Sequence, residues 1–218
     1  MNLTVLIRDN QCSDATVFDE VFDRLYYDFT LAFEPMTILD LGANVGFSSL
    51  FFARRYPSAT IACVEPMAEN VRLLKENLGL NEVQATVFPA AIATEDGWIQ
   101  MEIAAQDYGH RVAGIPFGIA GIGETVGVLA VTVPTLLKEM GWERIGLLKI
   151  DIEGYEGILL KEKCDWLHSV DALCLECHDG YGESDLKALA SDYGFAPPRE
   201  FRGIWLLIRE SDSLVSNL

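Results

Sequence analysis

Apolar residues recur between residues 14 and 29 at Val17, Phe18, Val21, Phe22, Leu25, Tyr26 and Phe29. They fall on one stripe of a 3.6-residue period with most of the acidic residues opposite, which predicts an amphipathic helix lying across the fold that follows. A regular alternation then begins. Thr37–Leu41 reads as a short buried strand and residues 47–56 as a helix stopped by Pro57. Thr60–Val64 is a second strand. Pro66 suits a first helical position, and Val71, Leu74 and Leu78 form a helical stripe closed by Gly79. Ala85–Phe88 is a third strand. Strand, helix, strand, helix, strand at this spacing predicts a parallel sheet covered by helices.

The pattern loosens between residues 90 and 127. Residues 98–103 alternate like an exposed strand, and residues 109–127 (GHRVAGIPFGIAGIGETVG) read as a glycine-laden loop able to act as a lid. Order returns with a strand at 128–133 and a short helix opened by Pro134. A core strand follows at 146–150, a helix at 155–162, a strand at 170–176 and a helix at 184–193 ended by Gly194. Residues 195–201 and Ile204–Ile208 flank Arg202-Gly203 and predict a closing antiparallel hairpin. No repeat or linker is evident, so the expectation is a single α/β domain over residues 1–218, with residues 1–35 as a helical extension. Its sheet is mostly parallel, with helices on both faces.

Half of the residues are hydrophobic, enough for a full core. The balance of 16 basic against 33 acidic residues gives a net charge of −17, which argues against nucleic acid or an anionic membrane as partner. No run approaches the roughly 18 apolar residues of a membrane span, and the opening MNLTVLIRDNQC has too short an apolar stretch for a signal peptide. Five cysteines, Cys12, Cys63, Cys164, Cys174 and Cys177, lie mostly in strand-like contexts. The C-x-x-C at 174–177 lacks a second pair, so core thiols and a cytoplasmic location are expected, with no metal assigned.

The candidate chemistry sits at strand ends. After the first strand the chain runs Asp40-Leu-Gly42-Ala-Asn44-Val-Gly46 into a helix. Glycines at such a turn let backbone amides face a ligand. A dinucleotide loop would instead read G-x-G-x-x-G, to seat pyrophosphate on the helix N-terminus. Here Asn44 replaces the middle glycine and Asp40 would repel phosphate. The adenosine ligand that fits carries no phosphate and a cationic tail, as S-adenosylmethionine does. Glu65, at the tip of the next strand, is placed to accept from ribose hydroxyls.

Three segments carry a family resemblance: ILDLGANVGFSSL at 38–50, VEPMAENVRLLKENL at 64–78 and LLKIDIEGYEGILL at 147–160. The last is close to a K-I-D-x-E-G-x-E pattern, with Tyr155 in its small-residue slot, and VFDEVF in the entry segment fits as well. Over roughly residues 15–210 the chain resembles the FkbM family of methyltransferases. The resemblance implies a seven-stranded class I fold using S-adenosylmethionine, most often for transfer to a hydroxyl oxygen of a small molecule or glycan.

The expected cofactor-binding residues are therefore Asp40, Gly42, Asn44, Gly46, Glu65 and Asp151. Asp151 and His178 are the expected catalytic residues. Asp151 would hold the methionine amino group or border the transfer site, while Glu153 could equally cap the following helix. Lys149 is expected to pair with a neighbouring carboxylate. Glu176 and His178, two apart, would project to one side, where His178 could take a proton from a hydroxyl, or simply be a turn histidine satisfied by Asp179. Asp151, Glu176 and His178 could also hold a divalent ion, which their spacing does not demand. His110 and Arg111, in the loop before the glycine-rich stretch, could reach the acceptor substrate, but a solvated mobile loop is the expectation. N-methylation, a nucleotide-dependent oxidoreductase and a non-catalytic cofactor-binding module remain alternatives.

Overall fold

The computed structural model describes residues 3–8, 13–104, 109–114, 121–161, 163–178 and 180–210. Its main sheet has seven strands: β1 (Thr37–Leu41), β2 (Thr60–Val64), β3 (Ala85–Phe88), β8 (Ile145–Ile150), β9 (Val170–Leu175), β10 (Arg199–Phe201) and β11 (Ile204–Ile208). Between β3 and β8 come β4 (Ala91–Ile92), β5 (Gly97–Ala104), β6 (Arg111–Val112) and β7 (Gly121–Val131), which build a second sheet. The main order is β10-β11-β9-β8-β1-β2-β3. Strands β3, β2, β1, β8 and β9 pair in parallel, and β11 is antiparallel to both β9 and β10. The winding therefore reverses between β1 and β8, the place where open parallel sheets leave a crevice beyond the strands' carboxyl ends.

The near-continuous apolar strands are explained by burial on both faces. Leu39, Leu41, Val64, Leu148, Ile150, Leu173 and Leu175 point to one side, into a core shared with α4 (Val133–Met140), α5 (Glu156–Leu159) and α6 (Glu183–Tyr193). Their strand neighbours Ile38, Ile61, Cys63, Leu147, Ala172 and Cys174 point to the other, against α2 (Phe47–Arg55) and α3 (Ala68–Leu80). This alternation places Asp40 on the α2 side and Leu41 on the opposite one.

Several boundaries differ from the periodic reading. The entry helix is α1 (Ser13–Phe18), widened into one π-helical turn at Asp19–Asp23. It stops there because Leu25 takes a left-handed backbone at φ 58°. Its apolar face does lie across the fold, with Phe18 and Phe22 packed on Phe47. Pro66 precedes the N-cap of α3, Met67, and Gly79 lies inside that helix, whose C-cap is Asn81. The helix expected at 155–162 shrinks to the single turn of α5. In the closing hairpin, Phe195 makes only an isolated bridge to Arg209.

The largest departure is the second sheet, ordered β4-β7-β5-β6. Residues 121–127, expected within a glycine loop, are instead strand, paired with β5 as far as Gly121 opposite Ala104. Backbone pairing along β5 outweighs the weak strand preference of three glycines, Gly121, Gly123 and Gly127. Residues 115–120 of that stretch lie outside the described residues, as do Cys12 and Asp179. No described helix is long and apolar enough to cross a membrane.

Candidate active site

The loop after β1 is held by backbone contact rather than by side chains. Gly42 has φ +77°, and a Cβ built there would lie 1.8 Å from the carbonyl oxygen of Asp151. The Asp151 amide donates to the Leu41 carbonyl at 3.2 Å, so the ends of β1 and β8 are tied together at this point. Gly46, φ +92°, starts α2 and would collide with Leu74 at 2.6 Å if it carried a Cβ. Only glycine fits either position.

Asp40 lies beneath this loop, fully buried. Its Oδ2 accepts from the hydroxyls of Ser48 and Ser49, each at 2.6 Å, and its Oδ1 is 3.3 Å from Lys149 Nζ. It does not line the cleft, contrary to the expectation of a ligand contact, because its parity on β1 directs it toward α2. Lys149 pairs with carboxylates as expected, lying 3.5 Å from Asp151 Oδ2 as well, and donates to the Gly42 carbonyl at 2.7 Å. Burial opposes its charge, but Asp40 and Asp151 outweigh that cost and raise its pKa, so it stays a fixed cation.

Above the loop opens a cleft of about 420 Å³. Gly42, Asn44, Glu65, Asp151, Glu176 and His178 all line it, together with Lys149 and Glu153. Glu65 is buried at the tip of β2. Its Oε2 accepts from the Asn44 amide at 3.0 Å, and its Oε1 from the Met67 amide at 2.9 Å and Asn70 Nδ2 at 3.1 Å. Desolvation raises its pKa more than these bonds lower it. With about four lone-pair sites on a carboxylate, one acceptor direction is left for a ligand hydroxyl.

At the other end, β8 and β9 deliver the acidic groups. Glu153 (φ 55°) and Gly154 (φ 96°) turn the chain sharply after β8. The turn is organised by Glu156, which sequence reasoning left among ordinary helix residues. Its Oε1 accepts from the Ile152 and Gly154 amides at 3.1 and 3.4 Å and meets His178 Nδ1 at 3.0 Å. Glu156 is fully buried. An acidic residue just beyond a D-x-E-G strand end is the signal that could have found it. His178 Nε2 in turn lies 3.7 Å from Glu153 Oε2.

This crowding shifts Glu153, Glu176 and His178. Desolvation, then the charge of Asp151, pushes Glu153 up to about 8. Asp151, then desolvation, pushes Glu176 up to about 7. Burial would depress His178, but its bond to Glu156 and the charges of Asp151, Glu156 and Glu153 push it up to about 10. The surrounding carboxylates thus favour the protonated form of His178 rather than a base poised near neutrality. Asp151, Glu153 and His178 also bring one ligand atom each to within 4.8 Å of one another, a spacing a divalent ion could bridge.

The roof comes from the entry helix and the second sheet. Thr16, Val17, Glu20 and Val21 line the cleft from α1 and its π-helical turn, and Met101 and Val112 from β5 and β6. Arg111 stands on β6 rather than on a solvated loop, and His110, just before it, is half-buried. His110 lines the cleft with Nδ1 accepting from the Ala104 amide at 3.1 Å, while Arg111 bonds to Glu102 at 2.9 Å. Cys174 is buried in β9 and Cys177 half-buried beyond it, neither in a disulfide.

The chain is similar to known methyltransferases. A family model described as the methyltransferase FkbM domain matches residues 40–196. Methyltransferase sdnD of Sordaria araneosa is 29% identical over 87% of this chain and 84% of its own length. The 31-O-demethyl-FK506 methyltransferase FkbM of Streptomyces tacrolimicus is 27% identical over 82% and 80%. The crystal structure of methyltransferase FkbM from Methylobacillus flagellatus superposes with a TM-score of 0.51 at 12% identity, which speaks for the fold; it covers 88% of this chain, and the chain spans 47% of that structure. This chain belongs to the FkbM methyltransferase family, which implies S-adenosylmethionine as its methyl donor.

Proposed function

We propose that the cleft binds S-adenosylmethionine and that the enzyme methylates a hydroxyl oxygen of a small molecule or glycan. The observation that carries this reading is electrostatic. Glu20, Glu65, Asp151, Glu153 and Glu176 face one cleft, and the cations beside them, Lys149 and His178, already lie against carboxylates. Such a cleft disfavours pyrophosphate and favours a phosphate-free adenosine ligand bearing positive charge. Glu65 would take a ribose hydroxyl on its remaining acceptor direction, the Gly42–Val45 backbone would lie against the ligand, and Asp151 would face the cationic methionine end; Gly46, which does not line the cleft, packs on Leu74 instead. Asp40 acts at one remove by bracing the loop.

When bound, the donor supplies an electrophilic methyl carbon whose bond to sulfur breaks as the bond to the acceptor oxygen forms. The protein's contribution is to align the oxygen, exclude water beneath the roof and manage a proton. His178 keeps Nδ1–H on Glu156, which fixes the ring and leaves Nε2 toward the cleft. The proton on Nε2 would first pass to solvent, and positive charge bound in the cleft would ease that loss by opposing the carboxylates. Neutral Nε2 then accepts the hydroxyl proton. The relative named for 31-O-demethyl-FK506 supports oxygen as the acceptor atom.

A screen of hydroxylated acceptors, with and without chelator, tests the reading by following release of S-adenosylhomocysteine. Acceptor-dependent release with the methyl group found on oxygen is expected. Methylation of amines alone would refute the oxygen assignment.

A further inference from the structure

A chain of hydrogen bonds leaves the cleft at Glu65 and ends on the helix that roofs it. Asn70, 3% exposed, donates Nδ2 to Glu65 Oε1 at 3.1 Å and accepts at Oδ1 from Arg8 Nη1 at 2.9 Å. The same guanidinium reaches Asp14, with Nη2 to Oδ1 at 2.7 Å and Nε to Oδ2 at 3.1 Å, and the Arg8 amide donates to Oδ2 at 2.8 Å. Asp14 is 1% exposed in the first turn of α1. The segment carrying Arg8 is registered independently on α3. The Leu6 amide donates to Asn77 Oδ1 at 2.6 Å and the Thr4 amide to Asn81 Oδ1 at 3.1 Å.

An amide side chain is directional: Asn70 aims its NH₂ at Glu65 most favourably while a donor occupies its oxygen. A guanidinium fork is the group that can serve that oxygen and a carboxylate at once, whereas an ammonium is a compact point charge. We infer that Arg8 is a positioning residue for cofactor binding, orienting Glu65 through Asn70 and holding the roof helix through Asp14, so that filling the cleft and docking the roof are coupled. This rests on the proposed role of Glu65 as partner of the donor's ribose. By linkage the coupling is reciprocal: what docks the roof tightens the cofactor, and the cofactor tightens the roof.

The test is calorimetric titration of S-adenosylmethionine into the full chain and its Arg8→Ala, Arg8→Lys, Asn70→Ala and Arg8→Ala/Asn70→Ala variants. Arg8→Lys keeps the charge beside Asp14 and guards against a variant that fails to fold. Arg8→Ala is expected to weaken binding about tenfold, as for a charged hydrogen bond, and Arg8→Lys by less. In the Asn70→Ala background the added loss should be smaller than in the wild type, because the route to Glu65 is already cut and only the Asp14 arm remains. Hydrogen exchange at residues 13–18 should slow on adding cofactor to the wild type and change little in Arg8→Ala. Wild-type affinity in both Arg8 variants, or penalties that multiply fully in the double variant, would overturn the inference alone. A wild type that binds no S-adenosylmethionine would overturn the reading of the cleft, and the inference with it.

Discussion

Replacing Gly42 with alanine tests the loop at its tightest point. The new Cβ would lie 1.8 Å from the Asp151 carbonyl oxygen, where an ordinary carbon–oxygen contact is about 3.3 Å or more. The loop and the end of β8 must therefore part by about 1.5 Å, straining the Asp151 amide bond to Leu41 and the Lys149 bond to the Gly42 carbonyl. A left-handed backbone costs a residue with a Cβ about 1–2 kcal/mol, and overpacking adds about 1–3 kcal/mol. Together these predict a loss of about 2–5 kcal/mol, a large part of a typical domain's stability. Gly79→Ala is the matched control. That glycine lies within α3, and its added methyl meets nothing within 4 Å. It should stabilise by about 0.5–1 kcal/mol, as alanine does over glycine in a helix. Urea unfolding followed by circular dichroism reads both. A Gly42→Ala protein within about 1 kcal/mol of wild type, below the αL and overpacking costs combined, would refute the close-contact argument. A destabilised Gly79→Ala protein would refute the placement of Gly79.

Other outcomes follow from the same geometry. His178→Ala should lower kcat by about 10²–10⁴ while leaving the affinity for S-adenosylmethionine within a few-fold, read by steady-state kinetics and calorimetry; an undiminished rate would remove His178 as base. Stability should fall as pH rises from about 6 to 9.5. Below its ordinary value of 6.5, His178 contributes fully to the fold, and that contribution is lost as pH rises through about 10. Glu153, raised from 4.5 to about 8, acts in the same direction, since its cost is absent below pH 4.5 and complete above about 8. A urea midpoint that is flat or rising across this window would contradict the pH argument. Lys149→Met should cost about 3–5 kcal/mol in the same unfolding experiment, because it leaves buried Asp40 facing Asp151 with no cation between them.

Much of this was legible in the sequence because burial on two faces leaves a plain mark. Apolar runs such as Ile38-Leu39 and Leu147-Leu148 announced the parallel strands, and the loop and strand-end acids located the cleft. What stayed hidden depended on long-range pairing. Residues 121–127 carry glycines that suit a loop, yet β5, 17 to 27 residues away in sequence at the paired positions (121 − 104 and 127 − 100), makes a strand of them. Strand-end position makes Asp40 look like a ligand contact, whereas the serines that claim its carboxylate lie eight and nine residues on, on α2, and leave no strand-end mark. Glu156 escaped notice since its importance lies in a turn folded back onto His178. The link from Arg8 to Glu65 spans about sixty residues and leaves no local pattern at all.

The central claim is that the acidic cleft selects a phosphate-free, cationic adenosine ligand. Calorimetric titration of the full chain with S-adenosylmethionine and, separately, with NAD tests it most directly. Saturable binding of S-adenosylmethionine at one site, weakened by Glu65→Gln and with no heat from NAD, is the predicted result. Tighter binding of NAD than of S-adenosylmethionine, or an affinity indifferent to Glu65, would contradict it.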